Sequence, residues 1–210
     1  MKYVLVLLCA LSLVGCKIIY ESDESEAAIP AGQEGDDARN AARLDATFET
    51  ELLPLVSDRA LSIADLRAEI DIGIDIAGEA HGNRGAGQGV AWNFAVSDTG
   101  EIIDANLESS ARTADVDVDG NGTPDVRLQL GPVIRGTTLR DVAPFYNFDD
   151  FRDQIEFARL ARAINDRMNA RLSIPESDLI GRSVSFTGAA PMRSADDALV
   201  ITLTEFAVLP

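Results

Sequence analysis

The sequence predicts an α+β domain: N-terminal helices, then a small antiparallel β-barrel with one helix between its third and fourth strands. Three observations carry this. Apolar residues recur at spacings of three and four through residues 38–80. They alternate one-in-two from Val90 onward, and return to helical spacing after Asn147 before two final alternating runs. The length of 210 residues, with 46% hydrophobic and 25% charged, suits one globular domain.

Ala41, Leu44, Phe48, Leu52 and Leu55 form the first helical stripe, starting at Asp37, and Pro54 is expected to kink or end it. Ser62 and Asp65 make a capping-box-like pair, with Leu61 and Leu66 at the staple positions, so a second helix starts there. Ile70, Ile72, Ile74 and Ile76 then alternate with Asp71, Gly73 and Asp75, as a strand would. Ile70, Ile74 and Ala77 also share a helical face, and the cap decides for helix. His81 to Gly89 reads as a helix stop and a flexible connector. Val90–Ser97, a turn at Asp98-Thr99-Gly100, Glu101–Leu107, Ala111–Val118 and Val126-Leu128-Leu130 supply the next strands. Asn147 and Asp150 are expected to cap a long helix with the stripe Phe151, Ile155, Ala158, Ala161, Ile164, Met168 and Leu172. Arg152–Glu156 and Arg162–Asp166 sit at i,i+4 on its outer face, whose arginines and acids read as a solvated surface. Arg182–Thr187 and Leu199–Phe206 end the barrel. Several strands, a helix and two more strands is the order of an oligonucleotide/oligosaccharide-binding (OB) type of barrel. That fold fixes no function.

Eighteen basic residues against 35 acidic ones leave a net charge of −17. This argues against nucleic acid as a partner, because phosphate binding needs cationic patches. Two cysteines and one histidine are too few for a disulfide framework, a zinc finger or a histidine-based metal centre. Met1-Lys2-Tyr3 followed by the apolar run Val4–Val14 has the length of a signal-peptide h-region and is too short to span a bilayer. It ends in Leu13-Val14-Gly15-Cys16, which resembles a bacterial lipobox. The resemblance implies cleavage after Gly15 and lipidation of Cys16, giving a membrane anchor and an envelope location facing the periplasm. Inner versus outer membrane stays open, although the lack of an aspartate after Cys16 leans toward the outer. The expected organisation is a signal peptide at 1–15, a lipidated acidic tether at 16–37 and one domain at 38–210. Within that domain 38–80 is helical and 88–210 is the barrel. Between Ile18 and Ala38 there are seven acids and no base, a run that repels itself.

The sharpest local chemistry lies in Asp117-Val118-Asp119-Gly120-Asn121-Gly122-Thr123-Pro124-Asp125. Asp117, Asp119, Asn121 and Asp125 place side-chain oxygens at positions one, three, five and nine. Gly122 occupies position six, and Thr123 at seven offers a carbonyl. Hard oxygen donors at every second residue can wrap a structural Ca²⁺. The spacing is nearer to the calcium loops of FG-GAP propellers than to an EF-hand, whose twelfth-position glutamate is here Leu128. The competing reading is a plain hairpin turn, for which Asp, Asn and Gly are equally suited. No cofactor is required and no catalytic residue is assigned. The glycine-rich run around His81 and Arg84 lacks the P-loop ending. His81, Arg84, Trp92 and Tyr146 are candidate contacts for a small ligand. Asp149 and Asp150 would be the carboxylates of a hydrolase, although adjacent acids at a helix start are usually caps.

Several segments carry a family resemblance: Cys16-Lys17-Ile18, Glu51-Leu52-Leu53-Pro54, His81 to Gly87, Leu130 to Thr137, Arg140-Asp141, Asp150 to Ala158 and Gly181 to Phe186. Together they resemble the predicted periplasmic lipoproteins of domain-of-unknown-function family 2291. The resemblance implies no catalytic residues. It implies, by gene neighbourhood, a role around sugar ABC-transport components. Three functions follow as expectations: a non-catalytic envelope lipoprotein accessory to sugar uptake, a sugar-binding module, and a carboxylate-dependent hydrolase.

Overall fold

In the computed structural model, residues 29–85, 89–176 and 178–210 are described. The signal peptide, Cys16 and most of the acidic tether therefore lie outside the described residues. The chain turns helical earlier than expected. Helix α1 spans Asp36–Thr47, behind a 3₁₀ turn at Gln33–Gly35. Asp36 is fully buried and paired with Arg39 and Arg152, so Asp36 and Asp37 belong to the folded domain and not to the tether. The buried stripe is Leu44, Phe48, Leu52 and Val56; Ala41 is exposed and Leu55 half-buried. A strict four-residue spacing drifts around a 3.6-residue turn, and a π-turn at Phe48–Leu52 takes up that drift. Pro54 then lies in the first turn of α2 (Leu53–Arg59) and does not end the helical run.

Helix α3 (Ile63–Ile72) starts as expected, with the Ser62 hydroxyl accepting the Asp65 amide at 3.0 Å. Gly73 separates it from α4 (Ile74–His81). Ile70 and Ala77 are buried, whereas Ile72 and Ile76 face solvent, so the helical face explains the isoleucine run. Gly82 and Asn83 form a two-residue strand, β1, which pairs with Phe94 and Asn93.

The barrel strands are β2 (Trp92–Asn106), β3 (Ala111–Asp117), β4 (Val126–Pro132), β5 (Ser183–Met192) and β6 (Leu199–Val208). Asp98-Thr99-Gly100 is no turn. One continuous strand passes through it, pairing with β5 over Trp92–Glu101 and with β3 over Glu101–Asn106. A Cβ on Gly100 would lie 2.4 Å from the Asp117 carbonyl oxygen, so the glycine permits close strand passage. The sheet runs β2-β3-β4-β6-β5 and closes from β5 back to β2; β4 and β6 are parallel. Phe94, Ile102, Leu128, Phe186 and Ile201 pack inside, with Leu66 and Ile70 of α3 against them. On the outer face of β2 and β5, small Ala95 and Ala189 admit a second core of Phe48, Leu52, Leu160, Ile164 and Met168.

Helix α5 (Thr138–Asp141) leads through a 3₁₀ turn to α6 (Gln154–Arg171), the helix between barrel strands three and four. Asn147 caps only the 3₁₀ turn. The α6 cap is Asp153, which accepts the Ile155 and Glu156 amides at 2.9 and 3.0 Å. The expected stripe is buried at Phe151, Ala161, Ile164 and Met168 but not at Ile155 and Ala158, which are exposed; Glu156 and Leu160 complete the buried face instead. The arginine-bearing face of α6 is also not simply solvated. Arg159, Arg167 and Arg171 pair with Asp37, Asp45 and Glu49 at one constant offset, so the acidic side of α1 and the π-turn runs parallel along it. Arg152 pairs with Asp36, while Glu156 takes Arg39 and Arg43. No helix among the described residues is long and apolar enough to cross a membrane.

Candidate functional site

The acidic loop joins β3 to β4. Gly120 and Gly122 adopt positive φ of 75° and 83°, the left-handed region that glycine favours. The turn lets the Asp117 carboxylate accept the Gly120 amide at 2.8 Å and the Gly122 amide at 2.7 Å. Asp125 accepts the Val118 amide at 2.7 Å, and Asp119 accepts the Asn121 amide at 3.0 Å. The Gly122 amide chiefly, with those of Gly120 and Asn121, holds the Asp117 carboxyl below its usual range against the opposing effect of burial. Asp117, Asp119 and Asp125 each bring one oxygen into a group within 4.8 Å of one another. Asn121 Oδ1 is taken by the Thr123 amide at 2.7 Å. The donors are all oxygen and three carboxylates converge, which fits a hard divalent cation.

The second place is a cavity of about 560 Å³ between β1, the turn after α5 and the start of α6. That volume is in the range of small-ligand pockets. Of the four candidate ligand contacts, Arg84 and Tyr146 line it and Trp92 and His81 do not. Trp92 is a packing residue: a Cβ on Gly78 would sit 2.1 Å from its ring, and its indole N–H donates to Asp75 at 2.9 Å. Arg84 stacks over that ring at 4.2 Å and pairs with Asp75. Tyr146 shares a 2.6 Å hydrogen bond with Thr47, and burial raises its phenol above the ordinary range. Tyr146 belongs to the helical layer and not to the barrel face.

Several lining residues had no assigned role in the sequence. Arg140 lies 3.6 Å over the Phe157 ring and is neutralised by Asp141 at 2.6 Å. Asn83 donates to the Asp141 carbonyl at 2.7 Å. Arg140-Asp141 and the segment holding Phe157 carry part of the family resemblance, but nothing in the sequence brings them beside Asn83. Gln154, Asn147 and Asp149 complete the polar lining, and Phe148 lies edge-on to Phe157 at 5.6 Å.

The chain is similar in structure to an OB-fold protein from Thermotoga maritima, with a TM-score of 0.56 at 13% identity. The match covers 83% of this chain and 96% of that one, and it shows a shared fold. No curated protein matches the chain. A family model described as "Predicted periplasmic lipoprotein (DUF2291)" matches residues 4–204, nearly the whole length. With its closed five-stranded barrel and inserted helix, the chain belongs to this family of predicted periplasmic lipoproteins, domain-of-unknown-function family 2291.

Proposed function

We propose that the protein is a non-catalytic, lipid-anchored envelope protein that binds a small neutral sugar in the cavity beside Tyr146 and Arg140, as an accessory to sugar ABC transport. One observation carries the reading: the cavity lining combines amides, aromatic rings and two arginines that each already hold a carboxylate. Asn83, Asn147 and Gln154 suit hydroxyl groups, and Phe157, Phe148 and Tyr146 suit the apolar face of a sugar ring. Arg140 is balanced by Asp141 and Arg84 by Asp75, so the site does not demand a charged ligand. Asp149 lies beside the Asn147 cap at the 3₁₀ turn, a structural place for an acid. A structural Ca²⁺ held by Asp117, Asp119 and Asp125, with Asn121 and Thr123 alongside, is part of the same proposal. It would stiffen the β3–β4 hairpin and take no part in ligand chemistry.

Titration calorimetry on the full chain with a panel of neutral monosaccharides tests the binding reading. At least one sugar should bind saturably, and Gln154→Ala, at an exposed position, should weaken it. Turnover of a glycoside or ester that is lost in Asp149→Asn would overturn the non-catalytic reading. Deletion of the gene should slow growth on one sugar and spare growth on others.

A further inference from the structure

The Leu130–Thr137 stretch, distinctive in the sequence, plays no part in the function above. Past Pro132 it has no regular structure, yet two amide side chains pin it. Gln129 of β4 accepts the Arg135 amide at 2.9 Å and donates to the Arg135 carbonyl at 3.2 Å. The same Gln129 Nε2 is steadied by the Thr202 hydroxyl at 3.0 Å. From the opposite side, buried Asn165 of α6 donates to the Gly136 carbonyl at 3.0 Å. All this fixes the backbone around one exposed arginine. Among the described residues, the Arg135 guanidinium has no hydrogen-bond or ion-pair partner.

Arg135 lines a groove of about 390 Å³ on the outer face of β3, β4 and β6. Arg112 lines it too. Its Nε is committed to the Gly131 carbonyl at 2.8 Å, and its two terminal nitrogens have no partner among the described residues. Arg127 forms a third wall, already doubly bonded to Asp115 at 2.6 and 2.7 Å. Among the described residues no carboxylate lines the groove, in a chain with 35 acids against 18 bases. β3 and β4 are the second and third strands of the barrel, the face on which OB-type barrels take ligands.

We infer that this groove binds a small oxyanionic ligand, with its carboxylate or phosphate held by Arg135 and Arg112. A guanidinium fork matches either group with two parallel hydrogen bonds. Holding the Arg135 backbone in place beforehand lowers part of the ordering cost of binding. Val133 and Val200 give the rest of the ligand an apolar surface. The groove shares no lining residue with the cavity beside Tyr146 and is independent of that reading.

The test is titration calorimetry on the full chain in detergent with inorganic phosphate and with citrate. Sodium chloride matches the ionic strength, and glucose is the neutral control. At least one of the two anions should bind saturably. Arg135→Gln should weaken it about tenfold or more and Arg112→Gln by a smaller factor. Gln129→Ala, which keeps every charge, should also weaken binding by freeing the loop. Arg135 is exposed, so Arg135→Gln should keep the native circular dichroism and melting curve. No saturable binding of either anion, or unchanged affinity in Arg135→Gln, would overturn the inference. So would binding to phosphatidylglycerol vesicles with neither free anion bound.

Discussion

Glu156 is a buried acid held by two arginine side chains and a backbone amide. Burial would raise its carboxyl, but Arg39 at 2.8 Å, the Arg152 amide at 2.8 Å and Arg43 at 3.2 Å together hold it at about 2. Its ordinary value is 4.5, so the folded state binds its proton more weakly than the unfolded chain. The stability it contributes is complete above about pH 4.5 and is lost as pH falls toward 2. Thermal melts should show this loss in the wild type and a flatter acid dependence in Glu156→Gln. At pH 7 the substitution should cost about 2 kcal/mol, the usual worth of hydrogen bonds to a charged group. An unchanged acid profile in Glu156→Gln would remove Glu156 from the account. Gly78 makes a second, purely steric prediction. Gly78→Ala forces a Cβ into the Trp92 ring and should destabilise by about 1–3 kcal/mol in chemical denaturation, despite alanine's better helix propensity. The sequence reading puts the helix cap at Asn147 and Asp150, whereas Asp153 holds it in the structure. The arginines that neutralise Glu156 lie 113 and 117 residues away, and no local pattern announces them.

The β3–β4 hairpin shows how far one element can be understood alone. Its donors fall within nine residues, so their convergence follows from loop spacing, and the structure brings Asp117, Asp119 and Asp125 together. Backbone amides meet part of their charge, and three carboxylates still share a small volume. A cation that binds only the folded loop stabilises it, by about 2.7 kcal/mol at one hundred times Kd. Millimolar Ca²⁺ should therefore raise the melting temperature, and Asp119→Ala or Asp125→Ala should abolish most of the rise. Asp115 is engaged by Arg127 at 2.6 Å, so Asp115→Ala should keep the calcium response. Identical melting curves in Ca²⁺ and EDTA at matched ionic strength would reduce the loop to a turn. The isoleucine run at 70–76 behaves differently. Strand and helix patterns both fit it, and what decides is the Ser62 cap together with the packing of Ile70 and Ala77.

Across the whole molecule, the anchor proposal places an acidic domain beside a membrane. Cys16→Ser should abolish incorporation of labelled palmitate and release the protein from the membrane fraction. Normal labelling in that variant would defeat the lipoprotein reading at this cysteine. The order of helices and strands, the Ser62 cap and the acidic hairpin were all readable in the amino-acid string, because each depends on residues within a few positions of one another. The continuity of β2 through Gly100, the acidic seam of α1 along α6, the withdrawal of Trp92 into packing and the cavity beside Tyr146 were not. Each arises where segments far apart in the chain are pressed together. Asp36, read from composition as part of a solvated tether, is buried because Arg152 lies 116 residues further on. Hydrophobic periodicity says which side of an element is apolar. It does not say which distant element will cover that side, and only the closed barrel with its helical layer makes that choice.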